Sequence, residues 1–519
     1  MHGSKAGLKS RGVHRQWVGL AVLTLPCLLY SMDLTVLNLA VPAISADVKP
    51  TASQLLWILD IYGFILAGSL MPMAELGDRI GRRRLLLGGA CAFSLASVAA
   101  ACSKSAETLI ASRALLGIAG ATLAPSTLSL IRTMFHDARE RTIALGVWVA
   151  SFSAGVAIGP LLGGLLLQYF WWGSVFLISV PVMALLLVLG PIFLPEYRKP
   201  HTDKMDITSA VLSLAAVLTT IYGLKGIATQ GFAWSYLFCI AIGISLALLF
   251  VYQQTRLRSP MINLLLFRIP AFSAALMIYT LVSFMVCGSL YFVAQYMQLV
   301  IGLTPLQAGL WSVPFAGSLI IGSAGSALAT RHMSPFSIMR FGLMTATIGF
   351  ALLSFIPDVT TPATLSITCS IYALGSACVL TLSNDVMLGS VPVDDAGSAS
   401  AISETASELG AALGIALLGS IGMAIYRLAL AHVGAMGDLT KFGTLGAAVA
   451  AAHQLGGAAG DAILKESRAA FVRGFRIASV ISAVALLFAA ILTSCRRPRA
   501  YQLKEESRQT GLAVSKPEP

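Results

Sequence analysis

The sequence predicts an all-helical protein embedded in a membrane, with fourteen spanning segments. Three observations predict it. Of 519 residues, 57% are hydrophobic and only 11% charged, against about 25% charge in an ordinary soluble domain. Charge-free runs such as Leu85–Cys102 are long enough to cross a bilayer. Lysines and arginines gather in short clusters between the apolar runs, as membrane topology requires. The mean hydropathy of +0.82 excludes a soluble enzyme, because such a chain would expose too much apolar surface to water. The net charge of +12 then reflects topology, and no nucleic-acid partner is expected.

A hydrocarbon core about 30 Å thick takes roughly 20 helical residues. Cut by that ruler at charged or turn-forming residues, the chain gives spans at 17–41, 54–74, 85–102, 108–131, 142–168, 172–194, 207–226, 232–252, 271–300, 307–329, 337–356, 363–388, 400–425 and 475–494. The first follows Lys5, Lys9, Arg11 and Arg15; it is too long for the apolar core of a secretory signal and is expected to stay in the mature protein. An even number of spans puts both termini on one side, and the arginine clusters at 79–84, 132–141, 256–268 and after Cys495 make that side the cytoplasm. The short outer connections then hold only Lys49, Lys104 and Lys225.

The layout is six plus two plus six. A cytoplasmic tail (1–16) leads into a six-helix bundle (17–194), two extra central helices (207–252), a second six-helix bundle (271–494) and a cytoplasmic tail (495–519). Within the second bundle a long outer loop, 426–474, alternates Ala-rich stretches (Gly446–His453, Ala462–Phe471) with Gly pairs, which predicts a helical hairpin on the outer face. Eight cysteines without C-x-x-C spacing lie mostly inside apolar runs and read as small buried hydrophobes, so neither a metal site nor a disulfide framework is expected.

Ionisable groups inside a bilayer cost at least about 2.5–3.5 kcal/mol each, so those present need a reason. Asp33, Asp60, Asp385, Glu404 and Glu408 lie inside or at the edge of spans, with Arg113; all seven histidines lie outside. By the helical rise of about 1.5 Å per residue, Asp33, Asp60 and Arg113 fall at similar depth in the outer half. Beside Arg113, Asp33 would be held between ion pairing and loss of water, so small rearrangements would change its protonation, as a proton-coupling carboxylate requires. A static ion pair clamping two helices fits the same residues. Glu404 and Glu408, at i and i+4, share one face of the thirteenth span and would titrate as a coupled unit, a second proton site or a landing place for an organic cation. Gly155, Gly159, Pro160, Gly163 and Gly164 form a small-residue stripe with a proline, which brings two helices close and bends one.

At these residues the chain resembles the major facilitator superfamily, and within it the fourteen-helix drug:proton antiporters that export quaternary ammonium compounds, dyes and methyl viologen. The string Asp33-Leu-Thr-Val-Leu-Asn38 ending at Val41-Pro42 resembles that family's first-helix motif. Leu76 to Arg83 resembles the superfamily's gating loop, with Ala74 where Gly is usual; the resemblance implies that Asp78, Arg79, Gly81, Arg82 and Arg83 pair with one another and with helix ends as the bundles rock. Arg113, Gly117 and Ala121 resemble the fourth-helix pattern, with Leu116 where Gln is common, which implies a part for Arg113 in proton transfer. Gly155 through Gly164 resembles the antiporter motif of the fifth helix. Trp57 to Tyr62, around Asp60, and Glu404 to Gly410 resemble the second- and thirteenth-helix acids of the quaternary-ammonium exporters. The tenth-helix acid of some relatives has no counterpart in 307–329, where Ser318 stands about where it would fall, and this argues against divalent cations as preferred substrates.

The resemblance implies a major facilitator fold and a proton-coupled exporter of amphipathic cations in a bacterial cytoplasmic membrane, without a cofactor, driven by the proton gradient and working as a monomer. Asp33, Arg113 and Glu404 are the expected proton-coupling residues. Asp60, Glu404 and Glu408 are the expected substrate acids, helped by Trp57, Tyr62 and Trp148 through cation–π contact. Export of a lipid, metabolite or self-made antibiotic on the same fold, or a non-transporting sensor, remains open at this point.

Overall fold

The computed structural model describes residues 3–135, 137–196, 198, 206–230, 233–257, 264–358, 360–391, 396–431 and 444–495. The chain forms α1 (Gly3–Asp47), α2 (Ala52–Ile80), α3 (Arg82–Ala101), α4 (Ala106–Gly120), α5 (Leu123–Met134), α6 (Ala138–Tyr169), α7 (Ser174–Leu177), α8 (Ser179–Phe193), α9 (Ile207–Gln230) and α10 (Trp234–Arg256). It continues through α11 (Pro270–Gln295), α12 (Pro305–Trp311), α13 (Val313–Ala329), α14 (Pro335–Ser354), α15 (Pro362–Gly389), α16 (Ala396–Ala431), α17 (Leu445–Leu455) and α18 (Gly457–Cys495). Among the described residues, 13 helical segments are long and apolar enough to cross a membrane, and the bent pair Arg15–Asp33 and Thr35–Asp47 makes up to 14. α4 with α5, and α12 with α13, each join into one span.

Helix starts follow local chemistry. Thr51, Ser105 and Thr304 each cap the N-terminus of the following helix with a reciprocal capping box, and Pro305, Pro335 and Pro362 supply the first turns of theirs. Large apolar side chains such as Leu95 (68% exposed) and Val188 (64%) point outward, where lipid rather than water is their solvent.

Two groups of helices, α1–α8 and α11–α18, each pack on themselves, and α9 pairs with α10. α9 also lies against both α2 and α16: Phe64, Ile221, Ala412 and Ala416 form a small apolar cluster where the three meet. The two groups meet at the end that carries the Lys49 and Thr304 turns. There, a Cβ on Gly164 of α6 would stand 2.6 Å from Pro305 O, Gln298 Nε2 donates to Leu39 O (2.9 Å), and a Cβ on Gly446 of α17 would meet Ser45 at 2.7 Å. The seam is closed at that end.

Two expectations are corrected. Of the hairpin expected in 426–474, the first stretch is α17, but Ala462–Phe471 is not a separate helix: it belongs to α18, which runs unbroken into the last span. The backbone break falls instead at Gly456 and Gly457, with φ of 62° and 58°, which only glycine adopts readily; Lys441 and its neighbours lie outside the described residues. Lys225 is not in an outer connection but within α9, with its side chain 1% exposed.

Candidate functional site

α1 bends by 44° between Asp33 and Thr35. The hydroxyls of Ser31 and Thr35 turn back to Leu28 O and Met32 O (both 3.0 Å), a pattern that competes with the helix ladder and bends it. Asp33 sits at this bend, its Oδ2 2.7 Å from a terminal nitrogen of Arg113 on α4. The guanidinium also donates through Nε to Ile58 O of α2 (3.2 Å) and lies 4.6 Å above the Tyr62 ring. Arg113, 2% exposed, therefore ties α1, α2 and α4 together through one carboxylate, one carbonyl and one aromatic face.

Asp60 has a different partner. Lys225 of α9 places its ammonium 2.9 Å from Oδ1 and 2.7 Å from Oδ2, and 4.0 Å from the centroid of the Trp57 ring. Glu408 of α16 accepts a hydrogen bond from the Tyr30 hydroxyl of α1, a bond across the seam, and its Oε2 has no hydrogen-bond partner among the described residues. Asp33, Asn38, Asp60, Tyr62, Arg113, Leu290, Glu408 and Ile415 line one cavity of about 40 Å³, room for a few water molecules and far below the 300–1,000 Å³ of a drug-sized site. In this conformation the site is collapsed around its own charges.

Not every expected residue gathers here. Glu404 lies one helical turn before Glu408, half-buried and outside the cavity lining. Trp148 does not line the cavity: its Nε1 donates to Thr127 Oγ1 (3.1 Å) within the first bundle. Trp57 and Tyr62 already offer their faces to Lys225 and Arg113.

The glycine stripe of α6 serves two contacts. Cβ atoms on Gly155, Gly159 and Gly163 would run into Leu28 O, Thr35 Oγ1 and Val36, so these residues let α6 lie directly on α1. Gly164 instead faces Pro305 and Leu306 of the other bundle, and Pro160 O takes the same role against Gly309. In the gating loop Arg82 bonds Asp78 (Nε–Oδ1 2.9 Å) and Arg79 pairs with Glu75 (3.0 Å). The backbone N–H of Arg83 donates to Glu196 Oε1 (3.1 Å), and Gly81, at φ 111°, makes the tight turn between α2 and α3. All these partners belong to the first bundle.

Sequence reasoning missed Tyr30, Lys225 and Glu196. Tyr30 stands one turn before Asp33 on the same face, Lys225 is a lone charge closing an apolar run, and Glu196 follows the sixth span at the end where the arginines cluster. Each carries a signal, but none names its partner.

Two helical bundles meeting across a buried, acid-lined cavity, closed at one end, define a multi-pass membrane transporter. The chain belongs to the Major Facilitator Superfamily, whose family model matches residues 24–415; this is a family of transporters, not enzymes. It is 41% identical to the multidrug efflux pump LfrA of Mycolicibacterium smegmatis, over 92% of this chain and 95% of that protein. It is 34% identical to the methyl viologen resistance protein SmvA of Salmonella typhimurium (92% and 97%) and 28% identical to the tetracenomycin C resistance and export protein of Streptomyces glaucescens (96% and 94%). Among solved structures, an inward-facing, occupied bacterial homologue of the human lysosomal transporter Spinster aligns with TM-score 0.67 at 18% identity, over 93% of this chain and 96% of that one. That likeness concerns the fold.

Proposed function

We propose that the chain is a proton-coupled multidrug exporter of amphipathic organic cations in a bacterial cytoplasmic membrane. The observation that carries this reading is the meeting, in one cavity shared by both bundles, of the Asp33–Arg113 pair and a Glu408 carboxylate with one oxygen unpartnered among the described residues. The identity to the multidrug efflux pump LfrA supports export of drug-like molecules. By the positive-inside rule the closed end is the outer one, so the conformation is closed to the outside.

In this mechanism a cation arriving from the cytoplasm is drawn to Glu408 while Asp33 neutralises Arg113. When the outer end opens, a proton on Asp33 removes its half of the ion pair. The guanidinium, still held by Ile58 O and Tyr62, then stands as an uncompensated positive charge. A unit charge about 8 Å away contributes about 2 kcal/mol at an effective dielectric constant of about 20, which weakens cation binding roughly thirtyfold. Protonation and cation occupancy therefore exclude each other, which is what antiport requires. Gly164 of α6 lets the bundles close; the Arg82–Asp78 and Arg83–Glu196 contacts stiffen the loop end of the first bundle, which moves as one body.

The test is proton release. Ethidium or tetraphenylphosphonium added to the purified protein in weakly buffered detergent solution is expected to release protons, with the release reduced in Glu408→Gln and in Asp33→Asn. Binding without any proton release in the wild type would overturn the coupling, and absence of cation binding by folded protein would favour a lipid or metabolite as cargo.

A further inference from the structure

Lys225 is a second buried cation beside the cavity: it stands behind the lining, in contact with Asp60, and it comes from outside the two bundles. α9 carries it into contact with α2, where its ammonium lies within 2.9 Å of both Asp60 oxygens and 4.0 Å from the Trp57 centroid. The Asp60 and Lys225 side chains are 0% and 1% exposed, and α9 is fixed beside them by Ile221 packed among Phe64, Ala412 and Ala416. The acids lining the cavity are Asp33, Asp60 and Glu408. Arg113 answers the first and Lys225 the second, so a single carboxylate, Glu408, is left in excess when all are ionised. Without Lys225 two would be in excess.

We propose that Lys225 is a specificity-determining residue: a tethered counter-cation that neutralises Asp60 from within and sets the cavity to accept one positive charge rather than two. The inference rests on the cavity being a cation site. An incoming cation gains little at Asp60, because a tethered ammonium with both oxygens and an aromatic face already in contact competes at high effective concentration. A dication therefore finds one partner, Glu408, for its two charges, and its second charge meets Lys225 as a repulsion. Glu404, a turn away and outside the lining, does not replace Asp60.

The experiment measures dissociation constants of ethidium, a monocation, and methyl viologen, a dication, for the full-length protein in nanodiscs. Lys225→Gln is expected to tighten methyl viologen relative to ethidium by at least about tenfold, one unit charge at close range having been removed, while Lys225→Arg keeps the wild-type ratio. Lys225→Gln leaves a buried carboxylate unpaired and can fail to fold. A second comparison removes that carboxylate from both variants: folded Asp60→Asn/Lys225→Arg should favour ethidium over methyl viologen at least about tenfold more than Asp60→Asn/Lys225→Gln, because arginine keeps its charge and glutamine carries none. Equal ratios in that pair of variants, or in wild type and a folded Lys225→Gln, would overturn the proposal and leave Lys225 as a brace for α9. A folded wild type that binds neither cation would overturn the cation-site reading as well, so the two failures are distinguishable.

Discussion

Gly164→Ala adds one methyl group at the seam between the bundles, and its effect can be worked out from the contacts. The new Cβ would stand 2.6 Å from Pro305 O and 2.9 Å from Leu306 Cα, both backbone atoms that cannot rotate away. Overpacking of this kind costs about 1–3 kcal/mol. Because the clash lies between two bodies that separate during transport, opening the outer end relieves it, and the open state gains about 5- to 150-fold in relative population. Alanine also favours the helix by about 0.5–1 kcal/mol, but it does so in both conformations and cancels. The control is Gly163→Ala, whose Cβ meets the rotatable Val36 Cγ1 at 2.7 Å inside the first bundle. The assay places a cysteine at Leu290, which lines the cavity, in a background without native cysteines, and follows its modification by a membrane-impermeant thiol reagent added outside. Modification should rise in Gly164→Ala and not in Gly163→Ala. If the two variants react alike, or Gly164→Ala transports and reacts as the wild type does, the assignment of Gly164 to the outer seam is wrong.

Two further outcomes follow from the same contacts. Tyr30→Phe removes the hydrogen bond that joins α1 to Glu408 across the seam, a bond worth about 1.5–3 kcal/mol when its acceptor is charged; coupled ethidium transport should fall at least about tenfold, with the protein still folded by its melting profile. Trp148→Phe deletes only the donor to Thr127 outside the cavity, so the affinity for ethidium should change less than about twofold in a fluorescence titration, while Tyr62→Ala, which strips the aromatic face from Arg113, should impair transport.

The helices were legible because the bilayer requires about 20 apolar residues of every span and charged or turn-forming residues separate the runs; the caps Thr51, Ser105 and Thr304 start their helices two residues before the expected spans. Proximity was legible too: counting residues from the span ends grouped Asp33, Asp60 and Arg113, and all three line one cavity. Partner choice was not. Asp60 meets Lys225 rather than Arg113 because α9 docks on α2, and no periodicity within α9 specifies which groove it enters. Tyr30 and Glu408 lie 378 residues apart, and their contact exists only because the two bundles are docked. The i, i+4 pairing of Glu404 and Glu408 gave their common face but not the turn of difference in depth that puts Glu408 alone in the cavity lining. Ala462–Phe471 read as part of an outer loop because Ala-rich stretches alternate there with Gly pairs, yet isolated glycines such as Gly460 and Gly474 cost only about 1 kcal/mol each within a helix and α18 passes through both.

The central claim is that a proton at Asp33 drives a cation out of the shared cavity. Its most direct test is ethidium uptake into inside-out vesicles containing the purified protein under an imposed proton gradient, for wild type and Asp33→Asn side by side. Uptake by the wild type that collapses with an uncoupler and is lost in a folded Asp33→Asn variant is the predicted result. Uptake that survives in Asp33→Asn, or that ignores the uncoupler, would contradict it.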